Sequence, residues 1–264
     1  MTRATRRAQA VGQNLRLAGI ESWSDRCEER PVSERDGATG KTRAPGAQPP
    51  GSAGSPGSLT TPVTHLPQLD EYEGHRALMV DGVIFSVEVG EATPAFGYWA
   101  AMLPEGSPRT ALLLGLGAGT LAHLLTRQCP AVRITGVEID PGIIEFARRH
   151  FDLALPNLEV ILADAFDYVA RCSRQFDYVA VDLFRGAAFH RGVLARSFLR
   201  RLAAIAGPQG DIVINMYQDH RSEGYLRRIA RVLDVVRAEQ LPCNVLAHCR
   251  PRPSAARGQG IASG

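Results

Sequence analysis

The stretch Leu114-Gly115-Leu116-Gly117-Ala118-Gly119-Thr120 constrains this chain more than any other feature. It lies between an apolar run, Ala111 to Leu114, and a helical pattern from Thr120 to about Arg127 that carries Leu121, Leu124 and Leu125 on one face. Residues without side chains allow a tight turn from strand to helix and let the backbone approach a bound nucleoside. The spacing is G-x-G-x-G, with Thr120 where the dinucleotide fingerprint wants its last glycine. At this point a nicotinamide or flavin site and another nucleoside site both stay open.

The same alternation continues downstream. A strand at Val132 to Val137 leads to Asp140-Pro141, an N-cap followed by proline at the first helical position, and a helix to about Phe151. Further strands are expected at Leu158 to Leu162, Tyr178 to Val181 and Asp211 to Asn215. Between them come a short helix (Phe166 to Arg171) and a long arginine-studded helix (about Phe189 to Ile205) that Gly207-Pro208 stops. A helix from Glu223 to Leu233 and a closing hairpin of Val235 to Ala238 with Val245 to Cys249 complete the pattern. Short apolar runs between amphipathic helices predict an α/β fold, a doubly wound and mostly parallel sheet covered on both faces. Upstream, Ala77 to Val80 and Val83 to Val87 flank Asp81-Gly82 and read as an N-terminal β-hairpin. Ala95 to Leu103, apolar and aromatic up to Pro104, reads as a short helix.

Residues 1–68 are rich in Arg, Gly, Pro, Ser and Thr, and 44–56 have almost nothing to bury. They are read as a disordered tail or as sequence upstream of the natural start, ahead of a domain over 69–250 and a second tail over 251–264. A transit peptide fits less well, because Glu21, Asp25, Glu28, Glu29 and Glu34 follow the first arginines.

In an open parallel sheet, ligands bind beyond the carboxyl ends of the strands, where the strand order reverses. Three carboxylates fall at such ends. Glu138 closes the second strand of the series, where a carboxylate can accept both ribose hydroxyls. Asp164, in Ala163-Asp164-Ala165, closes the third, where it can accept a hydrogen bond from an adenine amino group that a dinucleotide site has no need to hold. Asp182 closes the fourth and faces the space where a transferred group and its acceptor would meet. Each has a structural alternative: the glycines serve packing, Glu138 is a solvated acid, Asp164 caps its helix, Asp182 is a fixed hydrogen-bonder. Taken together in strand order they point to an S-adenosylmethionine-type nucleoside.

Composition removes other classes. The formal charge is +3, but almost all of the positive charge is arginine, acids are nearly as numerous, and no basic face is interleaved with aromatics, so no nucleic-acid partner is expected. Five cysteines without a C-x-x-C spacing argue against a disulfide framework and a zinc site, and no metal is expected. No run approaches the roughly 18 apolar residues that a membrane span needs, and a cytoplasmic protein without a membrane partner is expected.

Leu78-Met-Val-Asp-Gly-Val-Ile84, Gly115-Leu-Gly-Ala-Gly119, Val137-Glu-Ile-Asp-Pro141, Ala163-Asp-Ala165 and Asp177-Tyr-Val-Ala-Val-Asp182 resemble spermidine synthase and its methyltransferase-like relatives, over about Leu78 to Arg250. The resemblance implies a Rossmann-like methyltransferase fold and S-adenosylmethionine or its decarboxylated form as donor. It implies that Gly115, Gly117 and Gly119 hold the methionine-derived tail, Glu138 the ribose, and Asp164 with Ala165 the adenine. Ile139 would pack on the nucleoside, and Asp182 would assist an attacking amine. Homodimers are common in the family, and nothing in this sequence specifies an interface. Four positions depart from the aminopropyltransferase pattern. Ala118 replaces an acid in the glycine loop, Phe85 replaces a glutamine, Arg185 replaces the second acid of the Asp-Ser-Ser-Asp signature, and the gate tyrosine falls on Phe96 in an alignment with two residues of play.

The expected function is therefore a methyltransferase acting on an unidentified small-molecule acceptor, an amine if Asp182 is its base, with Tyr217 and Phe184 as pocket walls. The rivals are aminopropyl transfer from decarboxylated S-adenosylmethionine, a non-catalytic nucleoside-binding protein, and a nicotinamide oxidoreductase, in which Asp164 has no role.

Overall fold

A computed structural model describes residues 66–90, 97–186 and 188–253 of the chain. Of the tails expected over 1–68 and 251–264, residues 1–65 and 254–264 lie outside the described residues, as does Phe96 as a gate position, while Gln68 and Pro251 belong to strands.

Strand β1 (Gln68–Tyr72) pairs antiparallel with β2 (His75–Val80), which pairs with β3 (Val83–Val87) around Asp81-Gly82. Both turn residues have positive φ, as a two-residue hairpin of this kind requires. The expected hairpin is thus two strands of a three-stranded sheet. Helix α1 (Gly97–Met102) buries Trp99 and Met102 and leads into the main sheet.

That sheet has seven strands. Its parallel core is β4 (Thr110–Leu114), β5 (Arg133–Glu138), β6 (Leu158–Leu162), β7 (Tyr178–Val181) and β10 (Asp211–Tyr217). Between β7 and β10 a two-residue pair, β8 (Phe184–Arg185) and β9 (Ala188–Phe189), forms a small ribbon. β11 (Leu233–Gln240) and β12 (Asn244–Pro251) close the edge as the expected antiparallel hairpin, with β12 also antiparallel to β10. The spatial order is β11-β12-β10-β7-β4-β5-β6. β4 is the first of these strands in the chain and lies between β5 and β7, so the strand order reverses between β4 and β7.

The connecting helices are α2 (Thr120–Gln128), α3 (Pro141–His150), α4 (Ala165–Arg171), α5 (Arg196–Ala206) and α6 (Ser222–Ala230). Their starts follow the local chemistry. Asp140 caps α3 by accepting from the Gly142 amide at 2.7 Å, with Pro141 at the first turn, and Asp164 caps α4. The strands β4, β7 and β10 are buried almost throughout, and Leu112, Leu114, Val179, Val181, Ile212 and Ile214 pack beneath α4 and α5 in one core cluster.

Two expectations change. The single helix over 189–205 is instead the end of β9, a short 3-10 turn (Arg191–Leu194) capped by His190, and α5 beginning at Arg196. Phe189 pairs with Phe184 across the ribbon, which pulls the chain out of helical geometry before the turn. The helix expected to reach Leu233 stops at Ala230, because Leu233, fully buried, is already the first residue of β11.

Candidate active site

The carboxyl ends of β4, β5, β6 and β7 converge as the sequence anticipates. Gly115, Gly117 and Gly119 follow β4, and all have positive φ. Protein atoms explain each of them. A Cβ on Gly115 would lie 2.1 Å from the Asp182 carbonyl oxygen, on Gly117 2.7 Å from Ser86 Oγ, and on Gly119 2.5 Å from Leu153. Every amide of the loop is already bonded. Gly115 and Leu116 donate to the Val137 carbonyl, Gly117 to Glu138 Oε2 at 2.9 Å, Ala118 to Ser86 Oγ at 2.8 Å, and Gly119 to the Leu116 carbonyl. The loop therefore offers a surface to a ligand and no spare N–H donors.

The N-terminal sheet holds this loop in place. Besides Ser86, the Thr120 hydroxyl at the start of α2 both donates to the Val87 carbonyl and accepts from the Val87 amide, each at 2.8 Å. Neither Ser86 nor Thr120 was expected to matter; both are small polar residues whose partners are more than thirty positions away.

Glu138, 8% exposed, accepts from the amides of Gly117, Ile139 and Asp140 at 2.9, 2.9 and 3.2 Å. A carboxylate has about four acceptor positions, so one remains, on Oε2. Burial raises its pKa above the ordinary value, and the three amides pull it back. Next to it in the sheet, the Ala163 amide donates to the Glu138 carbonyl at 2.9 Å, which places Asp164 at the adjacent strand end on the same edge.

Asp164 caps α4 through one oxygen only. Oδ1 accepts from Phe166 N at 2.7 Å and Asp167 N at 3.1 Å, which leaves Oδ2 for another donor. The capping alternative thus holds for half of the carboxylate. Ala165 is buried behind it as the first residue of α4. Ile139 is 58% exposed and Leu162, at the end of β6, is 57% exposed.

Asp182 is half-buried at the end of β7, against the glycine loop. Its Oδ2 accepts from the Tyr98 hydroxyl at 3.0 Å and its Oδ1 from Asn215 Nδ2 at 2.9 Å. Burial pushes its pKa up to about 6, the two donors oppose this, and the Glu138 charge adds to it. Burial, with the Asp182 charge, holds the Tyr98 phenol protonated well above its ordinary range. Asp182 is part of the lining of a recess of about 310 Å³, partly open to solvent, together with Phe85, Trp99, Gly115, Leu116 and Leu121 among others. Tyr217 and Phe184, expected as walls, are half-buried and do not line it. Phe85 takes the wall position instead. Tyr98 and Asn215 were missed; the available signal was an asparagine inside the otherwise apolar Ile212-Val-Ile-Asn-Met216, which must find a partner.

Ala118 is 1% exposed, and Arg185 is exposed on the ribbon that follows Asp182. Among the described residues no group of three or more His, Cys, Asp or Glu could hold a metal ion, and no helix is long and apolar enough to cross a membrane.

Residues 111–210 match the family model of a methyltransferase domain. An eEF1A lysine and N-terminal methyltransferase homolog of Drosophila melanogaster is 34% identical over 115 residues, which are 40% of this chain and 17% of that protein. A polyamine aminopropyltransferase of Nitrosomonas europaea is 27% identical over 187 residues, 66% of this chain and 56% of that protein. The chain spans less than two thirds of the length of either. In fold, it superposes on a probable spermidine synthase from Corynebacterium glutamicum with a TM-score of 0.60 at 18% identity, over 73% of this chain and 80% of the other.

Proposed function

We propose, from the match of residues 111–210 to a methyltransferase-domain model and from the spermidine synthase-like fold, that the chain is an S-adenosylmethionine-dependent methyltransferase whose acceptor nucleophile is an amine. The observation that carries this reading is Asp182, a carboxylate whose pKa burial pushes up to about 6, held by Tyr98 and Asn215 in the lining of the recess at the end of β7. At neutral pH such a group is ionised, so it can orient a neutral amine by accepting from its N–H and receive the proton that the nitrogen sheds once the N–C bond has formed.

In this reading the donor's sulfonium supplies an activated methyl carbon. Asp164 Oδ2 accepts from the adenine amino group, Ile139 and Leu162 flank the purine, and the free position on Glu138 Oε2 accepts one ribose hydroxyl. The glycine loop, which has no spare N–H donor, shapes the channel for the methionine portion. Phe85, Trp99 and Leu116 keep water from the reacting centre, and Asp182 aligns the amine and takes its proton as the N–C bond forms and the C–S bond breaks. Most of the rate gain then comes from alignment in a dry site.

Methyl transfer is preferred to aminopropyl transfer because of Ala118 and Arg185. The aminopropyl donor carries an ammonium that a loop carboxylate would neutralise, and a polyamine acceptor would meet Arg185 where the resemblance has an acid. The Tyr98–Asp182 bond favours the second reading, aminopropyl transfer, since a gate tyrosine was expected within two residues of this position. Calorimetric titration with S-adenosylmethionine tests the shared part: binding is expected in the micromolar range, and no heat at millimolar ligand would overturn it. Incubation with decarboxylated donor and putrescine separates the two readings, with spermidine formed only if the second holds.

A further inference from the structure

We propose that Asn244 is a positioning residue for Asp182, acting through Asn215 by fixing which end of the Asn215 carboxamide faces the carboxylate. This rests on the reading of Asp182 as the group that takes the acceptor's proton.

The geometry is a single chain of side chains across three strands. Asn244 Nδ2 donates to Asn215 Oδ1 at 2.9 Å, and Asn215 Nδ2 donates to Asp182 Oδ1 at 2.9 Å. Register explains the alignment. Asn215 on β10 faces Leu246 on antiparallel β12, and Asn244 is two residues before Leu246, hence on the same sheet face at the diagonal position. On the other side Ile214 pairs with Val181, so Asn215 lies beside Asp182. Asn215 is fully buried and Asn244 is 8% exposed, so water competes little with either bond.

A carboxamide has a donor end and an acceptor end, and rotation by half a turn exchanges them. Asn244 turns its amide hydrogens to Asn215, and that bond holds the Asn215 oxygen towards Asn244 and its NH2 towards Asp182. This favours the ionised carboxylate, which accepts from NH2, over the neutral acid, whose hydroxyl would need the Asn215 oxygen turned towards it. It also reserves Oδ1 as an acceptor, so that an incoming proton goes to Oδ2. There the Tyr98 hydroxyl can rotate from donating to accepting, which Asn215 cannot do while it is locked. The groups that face Asp182 from its other neighbours are Tyr98 on α1, Glu138 at the end of β5 and Tyr178 on β7. None of them contacts Asn244 in the hydrogen-bond network, so a change at Asn244 reaches Asp182 through Asn215.

The test is a 13C NMR titration of the carboxyl of Asp182 in the full chain labelled at aspartate, with Asp182→Asn used to identify the resonance. Asn244→Leu removes the lock without adding charge. Its Asp182 midpoint is expected to rise by about one pH unit, because the unlocked carboxamide can turn to accept from the neutral acid. In an Asn215→Leu background the same Asn244→Leu change is expected to move the midpoint no further. An unchanged midpoint in Asn244→Leu, or an equal shift in both backgrounds, overturns the proposal. Should Asn244→Leu not fold, the near-isosteric Asn244→Asp replaces it in the same cycle: its added charge acts in both backgrounds, and only a larger shift with Asn215 present supports the relay. The titration uses neither donor nor acceptor. Failure to bind S-adenosylmethionine would therefore sink the proposed activity while leaving this result readable.

Discussion

Tyr98 and Asp182, 84 residues apart in the sequence, meet through a 3.0 Å hydrogen bond from phenol to carboxylate at the point where the strand order reverses. The bond stabilises the ionised acid against burial, which on its own drives the carboxyl towards neutrality. Activity that needs ionised Asp182 is expected to fall as pH drops through about 6. Tyr98→Phe removes one donor, so its acidic limb should move to higher pH, and a shift of about one unit should lower its rate at pH 7 about twofold. A pH–rate profile of both proteins checks this, and superimposable limbs would refute it.

Asp182→Asn is expected to separate stability from activity. The folded-state pKa is raised from 3.8 to about 6, so the native protein binds more protons than the unfolded chain within that window. Stability of the native protein therefore declines as pH rises from about 4 to 6, and the Asn variant lacks this decline. At about 1.4 kcal/mol per pH unit the variant should gain on the order of 3 kcal/mol relative to the native protein at pH 8, and nothing at pH 3.5. The Asn215 amide can still donate to the new side-chain oxygen. Urea denaturation at the two pH values measures the difference, while transfer should be lost and donor binding kept.

Glu138→Gln replaces a group that accepts from three backbone amides by one that must present an NH2 to at least one of them. The loop and the end of β5 should lose their register. Donor affinity is expected to drop about 10- to 100-fold, since an unpaired buried polar group costs about 1–3 kcal/mol. Calorimetry with S-adenosylhomocysteine reads it directly.

Gly115 and Gly186 both have positive φ, 86° and 54°, but only Gly115 is crowded. Gly115→Ala would drive a methyl group into the Asp182 carbonyl and should cost at least about 3 kcal/mol. Gly186→Ala meets nothing within 4 Å and should cost about 1 kcal/mol, the left-handed penalty alone. Denaturant midpoints of the pair decide whether close approach, rather than φ, makes the first glycine indispensable.

Much of this was legible in the chain because the relevant signals are local. The strands from Thr110 to Val181 are mostly apolar runs of four to six residues, the first ending in the glycine loop and each of the other three in or next to its own carboxylate. Strand β1 was invisible because Gln68-Leu-Asp-Glu-Tyr72 exposes four of its five residues and shows no apolar alternation. The break at His190 was hidden because Val193, Leu194 and Phe198 continue an apolar pattern that a helix would also produce. Tyr98, Asn215 and Asn244 escaped for another reason: each is defined by a partner at least 29 residues away, and a side chain's partner is a property of the packed sheet.

The stitching of β3 to the glycine loop bears on how the protein can be dissected. Ser86 and Val87 hold the loop from one side, and Asn215 and Asn244 hold Asp182 from the other, yet all four lie outside residues 111–210. An excised 111–210 fragment would keep the glycine loop and the three strand-end carboxylates and lose the side chains that brace them. Recombinant work should therefore retain at least 68–251, and a shorter piece that failed to bind a donor would say nothing against the intact protein.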